Sequence, residues 1–210
     1  MTTLELPVPA LPVPRAARTP DRRGPAGSNP IRLVVSGRAL VLVAGMPGAG
    51  KSTLLAGLRR RPGTVVLDSD AHRVALARRF PRLPYRRYRG LVHLRHRAAV
   101  VRAAFSDAST VGVHLPATSV VLRTAAAVLA ALTGRAGHLL WLHVDPDEAL
   151  RGQRDRGRLV PSASFAGHAR RAAAATVALR GGRAIGWRTV TVADRSAARA
   201  GLVLDVSPCK

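Results

Sequence analysis

The chain has 210 residues, with 34 Lys or Arg against 11 Asp or Glu, a net charge of +23 and a pI near 12.0; 47% of residues are hydrophobic and 3% aromatic. The single cysteine, Cys209, excludes an internal disulfide framework and a cysteine-based zinc site, and no apolar run is long enough to span a membrane. The length suits one α/β domain with ample chain for a core, which so few aromatics leave to Ala, Val and Leu.

Residues 1 to about 30 are rich in proline (Pro7, Pro9, Pro12, Pro14, Pro20, Pro25, Pro30) and read as a disordered or PPII-like leader. The first residues, Met1 to Pro7, carry neither a basic nor an apolar targeting region, so no signal peptide is expected and the cytoplasm is the default compartment. A single domain is expected over 31–206, with 207–210 as a tail. Ile31 to Val35 reads as a short edge strand, and Ser36-Gly37-Arg38 turns into the next strand. That strand, Ala39 to Ala44, is an unbroken apolar run of the kind buried on both faces of a parallel sheet.

Gly45-Met46-Pro47-Gly48-Ala49-Gly50-Lys51-Ser52-Thr53 follows, matching the phosphate-binding pattern G-x-x-x-x-G-K-[ST] in full. Its glycines allow positive φ and close ligand approach, so that successive N–H groups form an anion nest. Lys51 can reach the β- and γ-phosphates of a nucleotide, and Ser52 can ligate Mg²⁺. Thr53 to Arg60 has helical spacing, and the positive end of that helix faces the loop. Lysine occurs only at Lys51 and Lys210, every other basic residue of the 34 being arginine. The one internal lysine thus stands where a compact ammonium is required.

A strand over Thr64 to Leu67 ends in Asp68-Ser69-Asp70, and a helix is expected from about Ala71 to Arg79, stopped by Pro81. Tyr85 to Ala104 reads as a long basic helix; its His93 and His96 share a face, with solvated or packing roles preferred over metal binding. A third strand spans Val111 to Leu115, then a helix Ser119 to Leu132 and a fourth strand Leu139 to Val144. Asp145-Pro146-Asp147-Glu148 opens the next helix, which runs into Arg154-Asp155-Arg156-Gly157-Arg158; a further helix covers about Ser164 to Arg180. Thr189 to Val192 is the last strand, followed by Ala193-Asp194-Arg195. This alternation means a parallel sheet with right-handed crossovers.

The acids are few and cluster just after strands: Asp68 and Asp70, then Asp145, Asp147 and Glu148, then Asp194. Ligands of open α/β sheets bind at those strand ends. Helix capping accounts for Asp147 and Glu148. Asp70 is placed to accept a proton from an attacking hydroxyl, with Arg73 close by on the first turn of the following helix to hold an anionic group. Asp68 is either a water-mediated Mg²⁺ contact or structural. Arg151, Arg154, Arg156 and Arg158 form a dense cluster of the kind that stabilises a transferring phosphoryl group from a lid. The charge of +23 fits a polyanionic partner such as nucleic acid; base-composition bias, which would supply Arg and Ala throughout, explains it equally well.

On these motifs, over about residues 39 to 200, the chain resembles the P-loop kinase-type AAA-domain proteins, a group that includes polynucleotide 5′-kinase domains, zeta-toxin-like kinases and small-molecule kinases such as gluconate and chloramphenicol kinases. The resemblance implies a three-layer α/β P-loop NTPase fold with a five-stranded, mainly parallel sheet flanked by helices, and an Arg-rich lid. It implies Asp70 as base or orienting carboxylate, Arg73 as a substrate contact, Arg154 and Arg158 as lid arginines, and Asp194-Arg195 as part of an adenine pocket. The implied cofactors are ATP and Mg²⁺, with Ser52 as a metal ligand and Asp68 expected to compensate for a carboxylate that the third strand lacks. The implied activity is transfer of the γ-phosphoryl to a hydroxyl of a small metabolite, an antibiotic or a nucleic-acid 5′ end. A regulatory or nucleic-acid-binding ATPase without kinase activity is the alternative. One departure stands out: relatives often carry an Asp at the end of the third strand, and this chain reads Val113-His114-Leu115-Pro116-Ala117-Thr118 there.

Overall fold

The computed structural model describes residues 29–58, 62–115, 117–155 and 161–207. Residues 1–28 of the proline-rich leader, Arg156, Arg158 and the last three residues lie outside them. The elements in order are β1 (Ile31–Ser36), β2 (Ala39–Gly45), α1 (Lys51–Leu58), β3 (Thr64–Leu67), α2 (Ser69–Arg79), α3 (Tyr85–Phe105), β4 (Thr110–His114), α4 (Val120–Leu132), β5 (Ala136–Leu142), α5 (Pro146–Arg154), α6 (Ser162–Arg180), β6 (Thr189–Ala193), α7 (Arg195–Ala200) and β7 (Leu202–Ser207).

Five strands form one sheet in the order β3-β4-β2-β5-β6, and every pairing is parallel. The fold is therefore the expected α/β P-loop type. Strand β2 is central and buried at all its positions, which its unbroken apolar run requires once both faces are covered by helices. Its register puts Ala39 beside both Thr110 and Ala136, and Val43 beside His114. The glycine loop thus leaves the middle of the sheet, flanked by the ends of β4 and β5. Right-handed crossovers place α1 on one side and α3, α4 and α6 on the other, in line with the packing of α4 on β2 and β5 and of α6 on β6. The core joins both sides: Leu139, Leu140, Trp141 and Leu142 of β5, which alternate between the two faces of the sheet, belong to one buried cluster with Leu54, Leu55 and Leu58 of α1.

The first strand departs from expectation. β1 does not border the main sheet; it pairs in parallel with β7 in a two-stranded ribbon, Ile31 opposite Leu202. Its alternating pattern buries Ile31, Leu33 and Val35 and leaves Arg32 and Val34 outside. Arg32 there faces Asp205 at 3.4 Å. The ribbon packs on α1 and α7, so Thr189 to Val192 is not the last strand: Leu202–Ser207 follows it and closes the domain.

Helix α3 ends without a capping glycine, and arginines take over that role. Arg135, 4% exposed, donates from Nε to the Ala104 carbonyl at 2.7 Å, from Nη1 to Ala108 at 2.8 Å and from Nη2 to Ser106 at 2.7 Å. Arg38 adds a bond to Ser106 at 2.6 Å. Free carbonyls at the negative end of a helix favour such a cation. Arg135→Met, which keeps the stem and deletes the donors, is expected to lower unfolding free energy by about 3 kcal/mol, because several enclosed carbonyls lose partners together. Urea unfolding checks this; a midpoint equal to the parent's would show that water replaces the guanidinium freely.

Candidate functional site

The glycine loop forms a closed turn at the carboxyl end of β2. Ala49 N–H donates to Met46 at 3.2 Å and Thr53 N–H to Gly50 at 3.0 Å, while Met46 and Ala49 are buried. Gly48 holds φ +93° and touches α5: a Cβ there would lie 2.1 Å from the Ala149 carbonyl oxygen. From the other side, a Cβ on Gly152 would lie 2.7 Å from the Gly48 oxygen, so the loop and α5 meet backbone to backbone. Gln153 Nε2 donates to the Pro47 carbonyl at 3.2 Å. Over Gly50, by contrast, no atom lies within 4 Å of a would-be Cβ, and the concave face of the loop is open there. Lys51 is 4% exposed, and its Nζ donates to the carbonyls of Gly45 at 3.0 Å and Met46 at 2.8 Å.

Asp68 caps α2 from the end of β3. Its Oδ1 accepts from Asp70 N–H at 3.1 Å and pairs with His114 Nδ1 at 2.9 Å, and the Ser52 hydroxyl lies close enough to favour its charged form. Burial alone would raise the Asp68 carboxyl; the bond and charge of His114, the Asp70 amide and the Ser52 hydroxyl together outweigh it and hold the group well below the ordinary value of 3.8. The third-strand position that lacks a carboxylate therefore carries an imidazole fastened to the carboxylate of the neighbouring strand. Sequence reasoning noted the missing acid and overlooked its replacement. The signal was present, since His114 ends the strand next to the glycine-loop strand.

Behind His114 stands His96 of α3. Its Nε2 lies 3.0 Å from the His114 carbonyl, its ring meets that of His72 at 5.7 Å, and only 1% of it is exposed. Burial pushes His96 down to about 4, from an ordinary 6.5, so it is neutral at pH 7. A folded-state value below the unfolded one gives stability that is present above pH 6.5 and lost as pH falls toward 4. The parent is thus expected to lose stability over that window, on the order of 3 kcal/mol for this one group. His96→Gln should flatten that part of the profile, as read by urea midpoints at pH 7, 5.5 and 4.5; an unchanged slope would place the proton uptake elsewhere.

Asp70 and Arg73 both lie on α2, with Arg73 Nε 3.5 Å from Asp70 Oδ1. Because α2 begins at Ser69, two residues earlier than expected, and is capped by Asp68, Asp70 lies in its first turn and Arg73 in its second. Helix α6 brings in a group the sequence did not single out. His168 lies 3.3 Å from the Thr118 hydroxyl, and its pKa is lowered by burial and then by the positive charges of Arg171, Lys51 and Arg89. Cations from α1, α3 and α6 thus all act on His168.

The other predicted residues divide. Arg151 and Arg154 are exposed on α5, whose inner face, Ala149, Gly152 and Gln153, is buried against the loop. Arg156 and Arg158 lie outside the described residues. Asp145 is the α5 cap, accepting from Asp147 N–H at 2.9 Å, so Asp147 and Glu148 sit in the first turn behind it. Asp194 caps α7, accepting from Ala197 N–H at 2.9 Å. Arg195 Nη1 donates to the Glu148 carbonyl at 2.7 Å and its Nε lies 3.6 Å from the Glu148 carboxylate, tying α7 to α5 beside Gly152.

The site fits a nucleotide with its metal. The open face over Gly50 leaves room for a phosphate, and a hydroxyl and a carboxylate, Ser52 and Asp68, offer the hard oxygen donors that Mg²⁺ takes alongside phosphate oxygens. Among the described residues no group of three or more His, Cys, Asp or Glu could hold a metal by itself, and no helix is long and apolar enough to cross a membrane.

Comparison with known proteins agrees with this geometry. The profile of the AAA domain family matches residues 40–179. No curated protein matches the chain. Among solved structures, one of the PezAT chromosomal toxin-antitoxin system of Streptococcus pneumoniae is similar at 14% identity and a TM-score of 0.56, over 84% of this chain and 72% of that one. A structure from Chloroflexus aurantiacus, titled as a candidate kinase, is similar at 14% identity and a TM-score of 0.54, over 76% and 86% of the two chains. At these identities the likeness concerns the fold.

Proposed function

The chain belongs to the AAA domain family, and from that premise we propose that it is an ATP-dependent phosphotransferase that moves the γ-phosphoryl of ATP to a hydroxyl. One observation supports the reading: Asp68, which caps the helix bearing the Asp70–Arg73 pair, interacts with Ser52 of a complete glycine loop. The loop amides and Lys51 bind the phosphates. Ser52 and Asp68 hold Mg²⁺, which neutralises phosphate charge when bound. Asp70 accepts the proton of the attacking hydroxyl, and Arg73 orients the acceptor. Arg154 and Arg158 stabilise the transferring group from the lid, and Asp194 and Arg195 border the adenine. The unit that does this is a single domain over 31–206 working in the cytoplasm.

The acceptor is a small metabolite, an antibiotic or a nucleic-acid 5′ end. Transfer from γ-labelled ATP with Mg²⁺ to 5′-hydroxyl oligonucleotides and to pooled small metabolites separates these, with steep loss of binding in salt as the mark of nucleic acid. His114, in place of a carboxylate, favours a second reading: a regulatory protein that binds ATP without transferring it. Asp70→Asn decides between them. A kinase loses about 10²–10⁴-fold in turnover while keeping ATP binding, the range expected for removal of a general base. A sensor keeps its whole behaviour.

A further inference from the structure

Helix α3 has two apolar faces, and the fold uses only one. Tyr88, Val92, His96, Val100, Ala103 and Ala104 are buried against α2 and the sheet. On the opposite side, Leu91 (40% exposed), Leu94 (65%), Ala98, Val101 (46%) and Phe105 (65%) form a stripe in solvent. Their spacing is 3, 4, 3 and 4 residues, the a/d repeat of a helix-pairing seam. At 3.6 residues per turn the stripe covers only about 80° of the circumference, the narrow seam of a helix pair rather than a broad apolar face. The apolar surface extends to α4, which packs beside α3: Val121 (74%), Val128 (50%) and Leu132 (73%) are exposed there, and the one charged residue of α4, Arg123, is buried.

Charge selects the occupant. Exposed Arg95, Arg97 and Arg102 flank the stripe, and α3 contains no acidic residue. A second copy would bring one arginine rim onto another in a chain of net charge +23, which repulsion opposes. An anionic membrane would answer the arginines but does not select the 3-4 spacing of the stripe, which a partner helix matches. A helix with leucines on one side and acids beside them matches both the seam and its rim. We propose that the outer face of α3 docks an acidic amphipathic helix of a partner protein.

The probe is a labelled 21-residue peptide with Leu at a and d and Glu at the flanking positions, titrated by anisotropy into the full chain at 0.15 M salt. Its control has the same composition with the leucines scattered around the helix. Binding at least tenfold tighter than the control is expected, with that preference lost in Leu94→Gln/Val101→Gln. Arg95→Glu/Arg102→Glu should weaken the acidic peptide at least tenfold and favour its Lys-flanked counterpart. Both pairs are exposed, and urea midpoints equal to the parent's confirm the fold. Equal affinity for the two peptides would overturn the proposal in favour of bare charge. So would a dimer in light scattering that Leu94→Gln/Val101→Gln abolishes, or binding to anionic phosphatidylserine vesicles, lost in that variant, without peptide preference.

Discussion

Lys51→Ala is expected to lower phosphoryl transfer from ATP about 10²–10³-fold, the cost of removing one preorganised charge from a developing transition state. The side chain is enclosed, its Nζ donating to the Gly45 and Met46 carbonyls at 3.0 and 2.8 Å. Those acceptors belong to the loop, so the ammonium is desolvated and aimed before any phosphate arrives, and phosphate oxygens exchange for neutral carbonyls. A cation with an anionic partner gains more than one with two carbonyls, and that difference is available to catalysis. Nucleotide-induced thermal stabilisation, about 2.7 kcal/mol at a hundredfold excess over Kd, should shrink in the variant. Arg at this position is expected to fail as well, since a planar fork cannot follow the stem into the loop. Transfer at the parental rate in Lys51→Ala would remove the glycine loop from the chemistry altogether.

The loop and the main sheet were legible because each depends on local sequence alone. Ala39 to Ala44 has no polar interruption, and Gly45 to Thr53 matches its pattern at every defined position. The ribbon was not legible. Leu202 to Ser207 is short and alternates no more clearly than neighbouring segments, and its partner Ile31 to Ser36 lies at the far end of the sequence. Only the covered faces of α1 and α7 explain why the two meet. Within the site, residues carried on one element were read correctly as neighbours, as with Asp70 and Arg73. Pairs across elements were missed: His114 with Asp68, His168 with Thr118, and Gly152 with Gly48. A glycine inside a predicted helix was the available signal for the last of these, since it costs helix stability and calls for a close neighbour.

Gly48→Ala is the second large effect expected, and Gly50→Ala is its control. Both glycines hold similar left-handed backbone, φ +93° and +97°. Any L side chain there is strained by about 1–2 kcal/mol. They differ in what a Cβ meets. At Gly50 there is nothing within 4 Å, whereas at Gly48 the Ala149 oxygen lies at 2.1 Å and the Ala149 carbonyl carbon at 2.9 Å. The clash is with backbone in the middle of α5, which no rotamer change relieves, so loop and helix must part. Gly48→Ala is therefore expected to lose about 3 kcal/mol or more of stability, against about 1–2 kcal/mol for Gly50→Ala. Parting the two would also break the Gln153 bond to Pro47 and free the helix that carries Arg151 and Arg154, so nucleotide binding should fall with stability in the first variant. If urea unfolding finds equal losses, the cost lies in φ alone and the contact between loop and α5 contributes nothing. If Gly48→Ala alone collapses, the glycine loop and α5 are one mechanical unit, set by a glycine on each side.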